Sequence, residues 1–289
     1  MGEKVLMKGN EAIGEAAIRS GCRHFFGYPI TPQTELSAYM AKKMPKINGV
    51  FLQAESEVSA INMVYGAAAA GMRAMTSSSS PGISLKAEGI SYLAAGDLPC
   101  VIVNIVRGGP GLGGIQPAQS DYFQAVKGGG HGDYHLIVLA PNSVQELAHL
   151  TAEAFNISDE YRIPTMILGD GTLGQMMEPV DLDAIPEPIY ADKPWAARGT
   201  DNKRKKNVVE TLYLEASELE KKVLEREEKY NVVKENLQRY EAHDIDDADI
   251  MISSYGITSR VVEKAVKSLR EEGIKVGVIR PITLWPFPE

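Results

Sequence analysis

Three short stretches of this chain carry side chains able to hold anions or move protons. Gly27-Tyr28-Pro29-Ile30-Thr31-Pro32 places one hydroxyl, Thr31, between two prolines that stiffen its backbone. Its plain structural use is an N-cap, with Pro32 at the first position of the helix that Thr31 opens. Gln53-Ala54-Glu55-Ser56-Glu57 puts two carboxylates at the entry of an alanine- and glycine-rich run ending at Ala70-Gly71. The helix dipole favours carboxylates there even where no chemistry is done. The third stretch runs from Val101 to Val106 into Arg107-Gly108-Gly109-Pro110-Gly111-Leu112-Gly113-Gly114. An arginine ending a buried strand, beside a loop nearly free of side chains, is suited to gripping a carboxylate. That loop is neither a P-loop nor a dinucleotide fingerprint, because no Lys-Ser pair follows and no helix signal opens at its last glycine.

Each stretch falls where a predicted strand hands over to a predicted helix. Strands are expected at residues 24–27, 50–53, 73–76, 100–106, 136–139 and 164–168. Helices are expected at 10–20, 32–43, from the Ser56 cap to 70, at 82–95 and at 143–157. This alternation predicts an α/β fold, a mostly parallel sheet with helices on both faces and ligands at the carboxyl edge of the strands. Residues 1–178 form that first domain.

Residues 179–245 read differently. Pro179, Pro186, Pro188 and Pro194 mark a connector, and a charged helical segment over 203–243 follows. Ser217 and Glu220 have capping-box spacing. Val209, Leu212, Ala216, Leu219, Val223, Tyr230, Val233, Leu237 and Tyr240 form one apolar stripe, expected to pack on the chain's own domain. Residues 246–289 begin a second α/β unit: strand 250–254, helix 259–272, strand 276–280. A single βαβ leaves much of its sheet uncovered, so the natural protein is expected to continue beyond Glu289.

Composition narrows the function classes. A formal net charge of −8 argues against a nucleic-acid footprint, which requires a basic face. No apolar stretch reaches the roughly 18 residues of a membrane span, and the first residues carry no signal-peptide pattern. The expectation is a cytoplasmic protein. The two cysteines, Cys22 and Cys100, stand in apolar surroundings and are too few for an iron–sulfur cluster. No metal ligand set is expected on this chain. His131 offers an acid–base group, although loop histidines mostly serve structure. Ser77 to Ser80 look nucleophilic, yet without a visible base they read as a strand-to-helix loop.

Five ordered blocks carry a family resemblance: GYPITPQTE, QAESEVSAINMVYGAAAAG, VNIVRGGPGLGG, the GGGHGDYH of residues 128–135, and GVIRPITLWPFP. In these the chain resembles, over nearly its whole length, the alpha-type subunit of the 2-oxoacid:ferredoxin oxidoreductases. Its spelling is most similar to the branched-chain (2-ketoisovalerate, 3-methyl-2-oxobutanoate) members. The resemblance implies a pyrimidine domain for thiamine diphosphate, then a helical linker and the start of a transketolase C-terminal-like domain. It assigns the essential glutamate, which hydrogen-bonds N1′ of the aminopyrimidine so that the C2 proton can leave, to Glu57. Glu55 is the rival, two residues earlier. Thr31 and Arg107 match the family's contacts to the 2-oxoacid head, and Pro29 its backbone beside the cofactor.

The implied reaction is oxidative decarboxylation of a 2-oxoacid to acyl-CoA and carbon dioxide, with ferredoxin as electron acceptor and coenzyme A as co-substrate. Gly169-Asp170-Gly171 supplies half of a metal-and-diphosphate motif, and the second half is missing downstream. Magnesium and [4Fe–4S] clusters are therefore expected on beta-type, gamma-type and ferredoxin-like partner subunits, with thiamine diphosphate shared and this chain inactive alone. No second cation stands near the motifs for a distal carboxylate, and Gly111 to Ile115 are small or apolar. A short branched 2-oxoacid is thus expected over 2-oxoglutarate. The alternatives are 2-oxoglutarate or pyruvate as substrate, another thiamine-diphosphate enzyme, or a degenerate structural subunit.

Overall fold

The computed structural model describes residues 4–289. In chain order the first elements are β1 (Lys4–Lys8), α1 (Gly9–Arg19), β2 (His24–Gly27), α2 (Thr34–Lys43), β3 (Val50–Gln53) and α3 (Glu57–Ala69). Then come β4 (Ala74–Ser78), α4 (Pro81–Ala95), β5 (Val101–Val106), α5 (Tyr122–Val126), β6 (Ile137–Leu139) and α6 (Val144–Tyr161). β7 (Thr165–Asp170), α7 (Gly171–Gln175), β8 (Met177–Asp181), α8 (Ala216–Asn236) and β9 (Tyr240–His243) follow. The last are β10 (Ile250–Ser253), α9 (Gly256–Glu271), β11 (Val276–Pro281) and β12 (Thr283–Trp285).

A seven-stranded sheet in the order β12-β6-β7-β5-β4-β2-β3 forms the centre. All its pairings are parallel except β12 on β6, as the strand–helix alternation predicts. β5 and β7 are buried along their whole length, so their apolar runs have no polar face to turn outward. Because the strands run parallel, β2, β3, β4, β5 and β7 deliver their following loops to one edge. That edge receives all three stretches singled out in the sequence.

Four strands escape the sequence pattern. β1 and β8 pair antiparallel beside α1, β9 joins β10 and β11 in a three-stranded sheet, and β12 returns to the main sheet. β9 includes Tyr240, which the helical stripe had claimed. The helix of that stripe spans only Ala216–Asn236; Glu215 precedes it and no capping box forms at Ser217. Both Ser217 and Glu220 are exposed, so water satisfies what the cap would have. The stripe packs at its C-terminal end, where Tyr230 and Val233 are buried. Tyr230 meets Trp285 edge-on at 5.2 Å, and His135 stacks on that indole at 4.6 Å. Burial lowers the His135 pKa, which suits a neutral ring between aromatic faces.

The connector is pinned by a buried ionic group. Asp159 of α6 accepts from Arg73 Nε at 2.8 Å and from Lys193 Nζ at 2.5 Å. Arg73 also donates to the carbonyls of Ser20 and Ile189, and lies over the Tyr190 ring. Removing the one anion leaves two buried cations without a counter-charge. Asp159→Asn is therefore expected to cost about 3 kcal/mol, read as a lower melting temperature. An unchanged transition would show that water relieves both cations.

Candidate active site at the carboxyl edge of the sheet

The Ser56 cap forms as its sequence predicts: its hydroxyl accepts the Ser59 N–H at 3.2 Å and α3 begins at Glu57. The turn separates the two carboxylates. Glu57 points inward and is 5 % exposed. Glu55 stays in water, its Oε1 accepting from Ser59 Oγ at 2.9 Å. A hydrogen bond from its own backbone N–H, then that hydroxyl, lower the Glu55 pKa. The roof over Glu57 is the first turn of α4. A methyl group on Gly82 would stand 2.1 Å from Ser78 Oγ and 2.8 Å from Glu57 Oε1.

Ser77 to Ser80 are all buried between β4 and α4. Ser77 Oγ donates to Gln33 Oε1 at 2.6 Å. Ser80 holds the backbone of Arg107: its Oγ donates to the Arg107 carbonyl at 3.2 Å and accepts the Arg107 N–H at 3.1 Å. Its own N–H reaches Asn104 Oδ1 at 3.1 Å. Ser80 adopts φ 29°, a left-handed conformation that a serine enters only when its surroundings dictate it. The serine run is loop only at Ser79 and Ser80: Ser77 and Ser78 extend β4, paired with Val103 and Asn104 of β5, and the strained Ser80 makes the turn into α4.

Arg107 is buried, as a strand-end guanidinium should be to act in a dry site. It donates to the Thr31 carbonyl at 3.1 Å and the Leu112 carbonyl at 2.9 Å, while Nε has no partner. The structure thus brings Arg107 and Thr31 together. Thr31 does not cap a helix. Pro32 gives its carbonyl to the side chains of Asn10 and Gln175, and the first turn closes instead from Leu36 N–H to Gln33. α2 starts at Thr34, and Thr31 stays in an exposed turn. Pro29 lies exposed in the same loop.

Thr31, Ile115, Pro117, Glu35 and Gln175 line a cleft of about 430 Å³. A larger hollow of about 660 Å³ lies between α9 and β11, at Val266, Arg270 and Val278, and holds none of these groups. Burial alone would raise the Glu35 pKa, but its backbone N–H, Gln175, Lys8 and Asn10 all donate to the carboxylate and bring it below the usual range. One wall of the cleft is therefore a carboxylate, ion-paired with Lys8 Nζ at 3.3 Å.

The edge also collects buried polar atoms without partners: Thr76 Oγ1, Ser78 Oγ, Ser79 Oγ, Lys86 Nζ and Arg107 Nε. Such groups are normally satisfied, and Ser78 Oγ, across Gly82 from Glu57, is free to meet a polar ligand. A buried carboxylate beneath hydroxyls suits an aminopyrimidine ring, which presents both a basic nitrogen and an N–H donor. Lys86 was missed by sequence reasoning. Its signal was legible, since Ile83, Lys86, Ile90 and Leu93 share one apolar helix face that a lysine interrupts.

Other candidates fall elsewhere. His131 is exposed and lies edge-on to Tyr92 at 6.3 Å, beside a separate hollow with Tyr134 and Tyr213. Asp170 turns Oδ1 to its own helix, accepting the N–H groups of Thr172 and Leu173 at 2.7 and 3.1 Å. Burial raises its pKa. Cys22 and Cys100 are free and buried; burial pushes the Cys22 thiol up to about 12 and Cys100 up as well. Among the described residues no group of three or more His, Cys, Asp or Glu could hold a metal ion. Among them, too, no helix is long and apolar enough to cross a membrane.

Residues 15–256 match the family described as pyruvate flavodoxin/ferredoxin oxidoreductase, thiamine diphosphate-binding. The chain belongs to this family. Residues 248–289 match the pyruvate:ferredoxin oxidoreductase core domain II. The ketoisovalerate oxidoreductase subunit VorB of Methanothermobacter marburgensis is 52 % identical over 283 residues, 98 % of this chain and 80 % of that protein. The 2-oxoglutarate synthase subunit KorA of Methanocaldococcus jannaschii is 37 % identical, over 98 % of this chain and 83 % of its own. Among solved structures, 2-oxoglutarate:ferredoxin oxidoreductase from Magnetococcus marinus, with 2-oxoglutarate, coenzyme A and succinyl-CoA bound, superposes with a TM-score of 0.89 at 32 % identity. That match covers 99 % of this chain and 55 % of the other. The fold and the enzyme family inferred from the five sequence blocks are those found.

Proposed function

We propose that this chain is the subunit holding the aminopyrimidine of thiamine diphosphate in an oxidoreductase acting on a branched-chain 2-oxoacid, ketoisovalerate first. The 2-oxoacid and coenzyme A become acyl-CoA and carbon dioxide, and two electrons pass singly to ferredoxin. One observation carries the reading: a buried carboxylate, Glu57, opens a helix at the carboxyl edge of the sheet, within the segment that matches the family.

Thiamine diphosphate, when bound, supplies the carbanion chemistry that lets a 2-oxoacid lose carbon dioxide. Glu57 shares a proton with N1′, and its burial keeps water from competing for that hydrogen bond. Arg107 and Thr31 receive the carboxylate and keto oxygen of the 2-oxoacid. The two backbone bonds of Arg107 aim its guanidinium, and Ser80 fixes the backbone from which it springs. Pro29 shapes the chain beside the cofactor. The diphosphate, its magnesium and the [4Fe–4S] clusters belong to beta-type, gamma-type and ferredoxin-like partners. A cytoplasmic setting suits the free thiols.

The cleft is lined by the Glu35 carboxylate, already paired with Lys8, and by the apolar Ile115, a lining that suits a neutral tail better than a second carboxylate. The assembled enzyme is therefore expected to show a higher kcat/KM for 2-ketoisovalerate than for 2-oxoglutarate. Its advantage over pyruvate should be smaller, since each methylene in an apolar pocket is worth about 1–3 kcal/mol. Ferredoxin reduction with the three acids tests this, and a clear win for 2-oxoglutarate refutes the substrate class.

A further inference from the structure

α4 turns one stripe toward α3. Added methyl groups at Gly82 and Gly89 would strike Glu57 and Ile61, respectively, themselves one turn apart on α3. Lys86 lies between those glycines at helical spacing, on the same stripe. It is 0 % exposed, and its Nζ has no hydrogen-bond partner. The Glu57 carboxylate opposes the drop in pKa that burial imposes on Lys86, and the two form no hydrogen-bonded pair. A core lysine that bonds to nothing adds no stability that methionine would not supply without the desolvation penalty. Its presence in an otherwise apolar helix face therefore asks for another reason.

We propose that Lys86 is a positioning residue for Glu57: its buried ammonium stabilises the Glu57 carboxylate and thereby favours residence of the shared proton on N1′ of the aminopyrimidine. This rests on the reading of Glu57 as the partner of N1′. When the proton sits on Glu57 the carboxyl is neutral and gains nothing from a cation behind it. When the proton moves to N1′ the carboxylate is charged and gains fully. The cation thus acts on one side of the transfer only, which is how a fixed charge assists a reaction.

Burial lowers the Lys86 pKa from 10.5 to about 8, with Glu57 opposing that shift. The ammonium is therefore lost at mildly alkaline pH. Between about 8 and 10.5 the unfolded chain binds the proton that the folded chain has released. Stability conferred through this group rises with pH across that window, and its penalty is fully present below it.

The test uses the assembled enzyme and hydrogen–deuterium exchange at C2 of bound thiamine diphosphate, followed from neutral to alkaline pH. The wild type should lose rate as pH passes about 8. Lys86→Met should exchange about 10- to 100-fold more slowly at neutral pH and show no such limb. Lys86→Arg, which stays protonated, should keep the rate and move the limb upward. In a Glu57→Gln background Lys86→Met should add nothing. Lys86→Met should also melt at a higher temperature at neutral pH, an advantage that shrinks as pH rises; a structural lysine would give the opposite sign. Wild-type exchange in Lys86→Met with slow exchange in Glu57→Gln overturns this proposal alone, and so does a lower melting temperature. Normal exchange in Glu57→Gln removes the Glu57 reading, and the role of Lys86 with it.

Discussion

Replacing Glu57 by glutamine should slow C2 exchange of the bound cofactor by about 10²–10⁴-fold while the chain remains folded, because loss of a proton-sharing group typically has that size. Glutamine keeps the shape and still offers a hydrogen bond to the ring, but it cannot carry the proton back and forth. Glu55→Gln is the matched control, two residues earlier on the same helix entry. Glu55 is exposed and bonded only within its own turn, so its removal should leave exchange near wild type. Slow exchange in Glu55→Gln with normal exchange in Glu57→Gln would mean the wrong carboxylate had been chosen. Circular dichroism of both variants separates lost chemistry from lost fold.

The second large effect comes from a residue with no functional group. Gly82→Ala places a methyl within 2.1 Å of Ser78 Oγ and 2.8 Å of Glu57 Oε1. Ser78 can rotate, but Glu57 is walled in and must be pushed off the position it holds. A displacement approaching 1 Å at a reacting group costs on the order of 10²-fold in rate, so exchange should fall by about that factor or more. Gly66→Ala on α3 meets nothing within 4 Å and serves as the comparison. It should gain about 0.5–1 kcal/mol of helix stability and leave exchange alone. Equal exchange rates in the two alanine variants would show that the roof over Glu57 yields freely.

The central sheet was legible because β4, β5, β6 and β7 are fully buried runs and two of the intervening helices open on serine caps. Ser56 and Ser143 both cap the helices assigned to them. The strands that escaped are short or half-exposed: β12 has three residues, and β9 shows an exposed face without regular alternation. Their pairing partners lie far away in sequence, where local periodicity carries no information. Within the site, the resemblance chose Glu57 over Glu55, and the structure turns Glu57 inward and leaves Glu55 in water. What no spacing could reveal is where backbone carbonyls are spent. Pro32 gives its carbonyl to Asn10 and Gln175, which moves the start of α2 and leaves Thr31 free of capping duty. Lys86 was readable as an anomaly in an apolar face, but its neighbour across the helix pair was not.

The antiparallel return of β12 onto β6 bears on how the chain is made. Until Thr283 to Trp285 leave the ribosome, β6 is an open rim of the nascent sheet, with backbone donors and acceptors ready to pair with any extended segment. The aromatic trio of His135, Tyr230 and Trp285 cannot close either, because its members come from three distant parts of the chain. The carboxyl edge that carries Glu57 and Arg107 can form before β12 is made, while the β6 rim waits for it. Until β12 covers it, that rim of β6 is where a chaperone would have reason to bind.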